Sequence, residues 1–197
     1  ENDVVVADTD NRTLESMGTM SVIRMGQEWT QGEGCGGDSA LGEKAAGENT
    51  EALREVVEQT DMVVVIAALG GGAGSGTARV VAKLARDAGT TTMFLVTLPF
   101  SFEGGWRRNL AQESLESLRR MVDAVIALPN DLLFNTLKAD TPMREAFTLA
   151  DNMLAESLAS LARIAVADGL IPADFATFRN VLKESSATSL LGIGRGS

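Results

Sequence analysis

Histidine is absent from this 197-residue sequence, cysteine occurs once, as Cys35, and basic side chains are scarce. A single thiol excludes an intrachain disulfide, and without histidine the common zinc-ligand sets cannot be assembled. Both features fit a reducing cytoplasm. Lysine plus arginine number 17 against 27 aspartates and glutamates, a net charge of −10, and no basic block occurs. A groove for nucleic acid is therefore excluded. Long apolar runs are missing too. The longest, residues 62–69, is less than half of what a membrane-spanning helix needs, so no direct membrane insertion is expected. Proline- or serine-rich linkers, repeats and low-complexity tracts are also lacking.

What remains is 45% hydrophobic and 22% charged, the profile of a folding globular chain. The length suits one domain, or one domain and the start of a second. Glu1 leads straight into the strand-like Val4-Val5-Val6, which reads as a start inside a longer protein and not as a signal sequence.

Short β-branched runs alternate with segments of helical period, the pattern of βα units and a mostly parallel sheet. Strands are expected at 4–7, 22–25, 62–69, 91–98 and 122–128. The runs at 62–69 and 91–98 are dense enough in Val, Ile and Thr to be buried on both faces. Helices are expected at 43–59, 75–88 and 106–121, the second ended by Gly89. A long helix begins with Thr141 as N-cap and Pro142 at the first helical position and runs to about Asp168, ~40 Å at 1.5 Å per residue. A short helix at 174–183 and a strand at 188–193 follow. The expected fold is α/β, three-layered, with helices on both faces of the sheet. Residues 1–168 would form the binding domain, and 169–197 a loop region that opens a second domain.

The most informative segment is Leu69-Gly70-Gly71-Gly72-Ala73-Gly74-Ser75-Gly76-Thr77, between a buried strand and an amphipathic helix. Backbone without β-carbons turns tightly and presents several N–H groups to one anion, and the helix dipole adds partial positive charge there. Phosphate is the natural guest. A lysine-bearing P-loop is excluded, because Gly74 is followed by Ser75-Gly76-Thr77 and the first lysine is Lys83. A dinucleotide fingerprint is excluded as well: counted from Gly70, Gly72 or Gly74, its last glycine falls on Ser75, Thr77 or Arg79. An NAD-dependent oxidoreductase is correspondingly remote.

The run GGGAGSG closely resembles the GGGTGTG signature of the tubulin and FtsZ family. Further segments recur in family order: Asp8-Thr9-Asp10, Gly32-x-Gly34-Cys35-Gly36, Pro99-Phe100-Ser101-Phe102-Glu103-Gly104, and Pro129-Asn130-Asp131, with Phe147 and Asp151 on the long helix. The resemblance implies GTP or GDP as ligand. Gly70, Gly71, Gly72, Ala73, Gly74, Ser75 and Gly76 would hold the α and β phosphates, and Gly34, Cys35 and Gly36 would close over the γ phosphate. Mg²⁺ would take up phosphate charge with no direct protein ligand. Glu103 and Arg107 would lie toward the ribose, and Asn130 toward the base. Phe147 and Asp151, one helical turn apart, would offer guanine a stacking ring and a carboxylate for its N1–H and amino group.

The resemblance also implies a cytoplasmic GTPase of the bacterial cell-division ring that polymerises head to tail with itself or a paralogue. Division-ring proteins would bind through a C-terminal part lying outside this sequence. The family's first strand and its own glycine-rich loop would precede Glu1. The loop that completes a neighbour's active site reads Asn-x-Asp-x-x-Asp in the family, whereas Pro172, Asp174 and Thr177 occupy those places here. Asp174 is either a catalytic acid or the N-cap of the helix after it. A GTP-binding scaffold with little hydrolysis is therefore the alternative to an active GTPase. Arg79 stands where the family has proline, and Asp8 where it has asparagine.

Overall fold

The computed structural model describes residues 4–135, 137–138, 140–166 and 180, the side chains of 162–166 excepted. The expected helix at 174–183, the strand at 188–193 and the boundary near 169 lie outside the described residues, Asn180 apart.

Two parallel sheets carry the fold. Strands β1 (Val5–Asp8) and β2 (Ser21–Arg24) form one, and β3 (Met62–Ala68), β4 (Thr91–Leu98) and β5 (Ala124–Pro129) form the other, in that order. Val64 pairs with Met93, and Leu95 with Ile126. No ladder joins β1 to β3 among the described residues. Helices α1 (Asn11–Glu15), α2 (Gln27–Thr30), α3 (Ser39–Glu48), α4 (Thr50–Glu58), α5 (Gly72–Ala88), α6 (Gly105–Leu118) and α7 (Met143–Val166) complete the elements, with 3₁₀ turns at Ser101–Glu103 and Asn130–Asn135.

Side chains alternate across β4, and each face meets its own layer. Phe94 and Val96 point to the larger core, with Leu53, Val81, Leu84, Leu115 and Leu118 from α4, α5 and α6. Met93 and Leu95 point the other way and join Ile126 and Leu128 against Leu154, Leu158 and Leu161 of α7. Helices thus cover both faces, and the α/β three-layer architecture expected from the sequence is the one observed. Burying a side chain such as Phe94 fully stabilises by about 1.5–3 kcal/mol.

Four expectations need correction. The β3 strand is not buried on both faces: Val64 and Ile66 remain 36% and 45% exposed. Its apolar run signals a strand, but not what covers each side. The helix expected at 43–59 is two helices, broken at Asn49, whose side-chain Oδ1 accepts from the Gly26 N–H at 3.1 Å. Thr141 does not cap α7; its hydroxyl accepts from the Lys138 N–H, and the Pro142 carbonyl receives the first helical bond from Ala146. Finally, α5 begins at Gly72 and not at Ser75, so most of the glycine-rich run is helix.

Close approach explains those helical glycines. A β-carbon on Gly72 would stand 2.6 Å from the Cys35 Cβ, one on Gly76 would stand 2.5 Å from the Ser39 carbonyl oxygen, and one on Gly74 would collide with the Ala68 carbonyl. Gly76 thus lets the α3 backbone approach, Gly72 the loop at Cys35 and Asp38, and Gly74 the end of β3. At the far end, α5 stops at Gly89 (φ +72°), whose N–H returns to the Ala85 and Arg86 carbonyls.

Candidate functional site at the strand carboxyl ends

Leu69, Pro99 and Asn130 follow directly on β3, β4 and β5, so the three loops open at one edge of the parallel sheet. In open α/β sheets this edge is where ligands bind.

The turn after β3 is bent at Gly70 (φ +94°), whose N–H donates to the Ser75 hydroxyl at 2.9 Å. Ser75 is buried, so its hydroxyl braces the turn from inside. The next N–H groups, those of Gly71, Gly72, Ala73 and Gly74, have no acceptor among the described residues; the first amide tied back is that of Ser75, to the Gly71 carbonyl. Gly71 caps the helix without any side-chain bond. Four free donors at the N-terminus of a 17-residue helix form a concentrated site for an anion.

Residues 32–37 lie beside this turn. They are sewn to the end of β1: the Asn11 N–H donates to the Gly32 carbonyl at 2.9 Å, the Gly34 N–H donates to the Thr9 carbonyl at 3.1 Å, and the Thr9 hydroxyl lies 3.3 Å from the Cys35 sulfur. Cys35 is buried against Gly72, which joins this loop to the start of α5. Asp8 accepts from the N–H groups of Thr9 and Asp10 at 2.6 and 3.1 Å, so its carboxylate shapes the turn that carries Thr9. Asp10 then caps α1 and pairs with Arg12, whose guanidinium holds the carboxyl below its ordinary range.

The loop after β4 is held by Glu103. One oxygen accepts from the Phe100 N–H at 2.8 Å and the other from Arg107 at 2.9 Å. The Arg107 carbonyl approaches Gly70 so closely that a β-carbon there would stand 2.7 Å away. The Ser101 N–H donates to Asp131 at 2.7 Å, which ties this loop to the one after β5. Asn130 is buried, and its Oδ1 has no partner among the described residues. An unpaired buried acceptor costs about 1–3 kcal/mol, so an outside donor would gain there. Phe147 of α7 meets Phe100 at 5.4 Å with the rings perpendicular and stays 37% exposed, with Asp151 exposed one turn along.

Residues 1–138 match the Tubulin/FtsZ family, GTPase domain. The chain belongs to that family. It is 40% identical over 191 residues to the cell division protein FtsZ of Haloferax mediterranei, covering 97% of this chain and 50% of that protein. Among solved structures, the empty FtsZ dimer of M. jannaschii superposes with a TM-score of 0.86 at 36% identity, over 91% of this chain and 52% of that one. CetZ2 from Haloferax volcanii, solved as a GTPγS-bound protofilament, superposes with a TM-score of 0.74 at 29% identity, over 84% and 51%. The chain spans about half the length of the FtsZ relatives it matches.

The fold therefore gathers Gly70–Gly76, Gly34–Gly36, Glu103, Arg107, Asn130 and Phe147 around one sheet edge through the contacts between their loops, with Asp151 beside Phe147. Pro172, Asp174 and Thr177 lie outside the described residues. Arg79 of α5 stands 4.0 Å from Glu43 of α3, and its buried Nε has no hydrogen-bond partner among the described residues. Sequence reasoning missed the roles of Asp38, which caps α3 through the Ala40 and Leu41 amides, and of Trp106 against Gly37. The Asp38-Ser39 step before a helical run was a readable signal for the first; a lone tryptophan carried none for the second.

Proposed function

We propose that this edge binds GTP and that the whole protein is a GTP-hydrolysing tubulin relative that polymerises head to tail in the cell-division ring. The observation that carries it is the set of free amides at Gly71, Gly72, Ala73 and Gly74, set on a helix N-terminus inside a family GTPase domain. These donors are uncharged, so Mg²⁺ held by the phosphates supplies the balancing charge. Gly34, Cys35 and Gly36 approach the terminal phosphate. Phe147 stacks the base, Asp151 accepts its N1–H and amino protons, and the unpaired Asn130 acceptor takes a donor from the nucleoside. Glu103 and Arg107 set the ribose side, with Glu103 acting through the loop it braces. A subunit's Asp174 region would complete the next subunit's site.

One sequence feature favours a second reading. Thr177 stands where the family places its last acid, and a hydroxyl is no useful base near neutral pH. A GTP-binding scaffold that assembles with little turnover, alone or with an active paralogue, fits that substitution. Phosphate release and sedimentable polymer on the full-length protein, measured beside Thr177→Asp, separate the two. Slow release accelerated by the substitution supports the scaffold; ordinary turnover in the unaltered protein supports the GTPase. Displacement of a bound dye by GTP, ATP and NAD tests the site itself, and preference for NAD ends the GTP assignment.

A further inference from the structure

Trp106 is the second residue of α6 and is 62% exposed, so core burial does not explain its placement. Its six-membered ring lies over Gly37. A β-carbon on Gly37 would stand 3.2 Å from Cζ3 and 3.3 Å from Cη2; among the described residues, sequence neighbours apart, no other atom lies within 4 Å of it, and none within 4 Å of one on Gly36. Both glycines have positive φ, +55° and +90°, in the turn that the Asp38 N–H closes on the Cys35 carbonyl at 2.9 Å, while Gly32, Glu33 and Gly34 are held to residues 9–11 and Thr30. The tip of this loop thus has one neighbour from outside itself near Gly37, and that neighbour is an aromatic plate. The same first turn of α6 presses the Arg107 carbonyl onto Gly70. One helical turn therefore touches both walls of the candidate site, the glycine turn through its backbone and the loop tip through Trp106.

Resting on the nucleotide site proposed above, we propose that Trp106 is a positioning residue that holds the tip at Gly36 and Gly37 closed over the terminal phosphate, and so favours GTP over GDP. The α and β phosphates sit on amides that need no help from Trp106, because the α5 turn is braced by Ser75 from within. Only the group reaching the loop tip depends on the closed position. A ligand that binds one arrangement of a loop loses apparent affinity in proportion to the fraction of time that arrangement is lost. If removing the ring leaves the tip closed about a tenth of the time, the Kd for GTP rises about tenfold while that for GDP stays within about twofold.

The test is calorimetric titration of the full-length protein with GTP and with GDP, in the presence of Mg²⁺, for the unaltered protein, Trp106→Ala and Trp106→Phe. The expected result is a selective loss for GTP in Trp106→Ala, largely restored by Trp106→Phe, whose ring still covers Gly37. Tryptophan emission should also change on adding GTP, more than on adding GDP, and that difference should vanish in Trp106→Phe. Equal weakening for both nucleotides, or unchanged affinities, overturns the positioning role. An unaltered protein that binds neither nucleotide is a different failure: it overturns the nucleotide site itself.

Discussion

Gly76 of α5 passes Ser39 of α3 so closely that a β-carbon on Gly76 would stand 2.5 Å from the Ser39 carbonyl oxygen. Gly71, five residues earlier, has no described residue beyond its chain neighbours within 4 Å of the same position and an ordinary φ of −102°. The two glycines of one motif therefore serve different purposes. Gly76→Ala should destabilise the fold by about 1–3 kcal/mol through overpacking. Gly71→Ala should leave the urea midpoint unchanged and weaken GTP binding, because its methyl enters the space in front of the free amides. Matching stability losses in both variants would contradict this division.

Asp151 is the carboxylate that discriminates guanine from adenine in the proposed site. Asp151→Asn should reduce GTP affinity by about 10- to 100-fold, the worth of hydrogen bonds to a charged group, and should narrow the gap to ATP. Competition binding with both nucleotides checks it.

Glu103 carries two partners and Arg107 only one. Arg107→Ala removes a half-exposed ion pair and should cost at most about 0.5 kcal/mol of stability. Glu103→Ala also strands the Phe100 amide and should cost about 1–3 kcal/mol. Chemical denaturation of both variants gives the ordering; a larger loss in Arg107→Ala would reverse it.

Asp10 sits below the ordinary carboxylate value of 3.8, chiefly through its side-chain hydrogen bond with Arg12. A carboxyl whose folded pKa is depressed adds stability that is present above its unfolded value and is lost as pH falls through the folded one. In Arg12→Ala the Asp10 carboxyl should titrate closer to 3.8, and NMR titration of the side-chain carboxyl would read the shift directly.

Val64 and Ile66 form an uncovered apolar strip on β3, next to an edge that pairs with no strand among the described residues. Such edges recruit other chains. Ile66→Lys should raise the soluble fraction of the 197-residue chain and delay its light scattering on warming. No change would mean that another surface drives association.

The run Thr91-Thr92-Met93-Phe94-Leu95-Val96 was legible as a strand buried on both faces, because continuous β-branched and apolar residues leave no polar side for water, and β4 is buried throughout that stretch. The similar run in β3 misled, since its density is the same whether or not a helix lies over it. Glycines 70–76 pointed to the turn now proposed as the site but not to the reason for each glycine. The i, i+4 spacing showed that Glu103 and Arg107 would meet, and not that the Phe100 amide would occupy the second oxygen.

Local rules sufficed for the five observed strands and their order along the chain, because periodicity, turn chemistry and helix-end preferences act over a few neighbouring residues. Only the tertiary structure decided which glycines yield to α3, which amides stay free for a ligand, and that Trp106 covers Gly37. Those outcomes depend on distances between residues tens of positions apart, which no local pattern encodes.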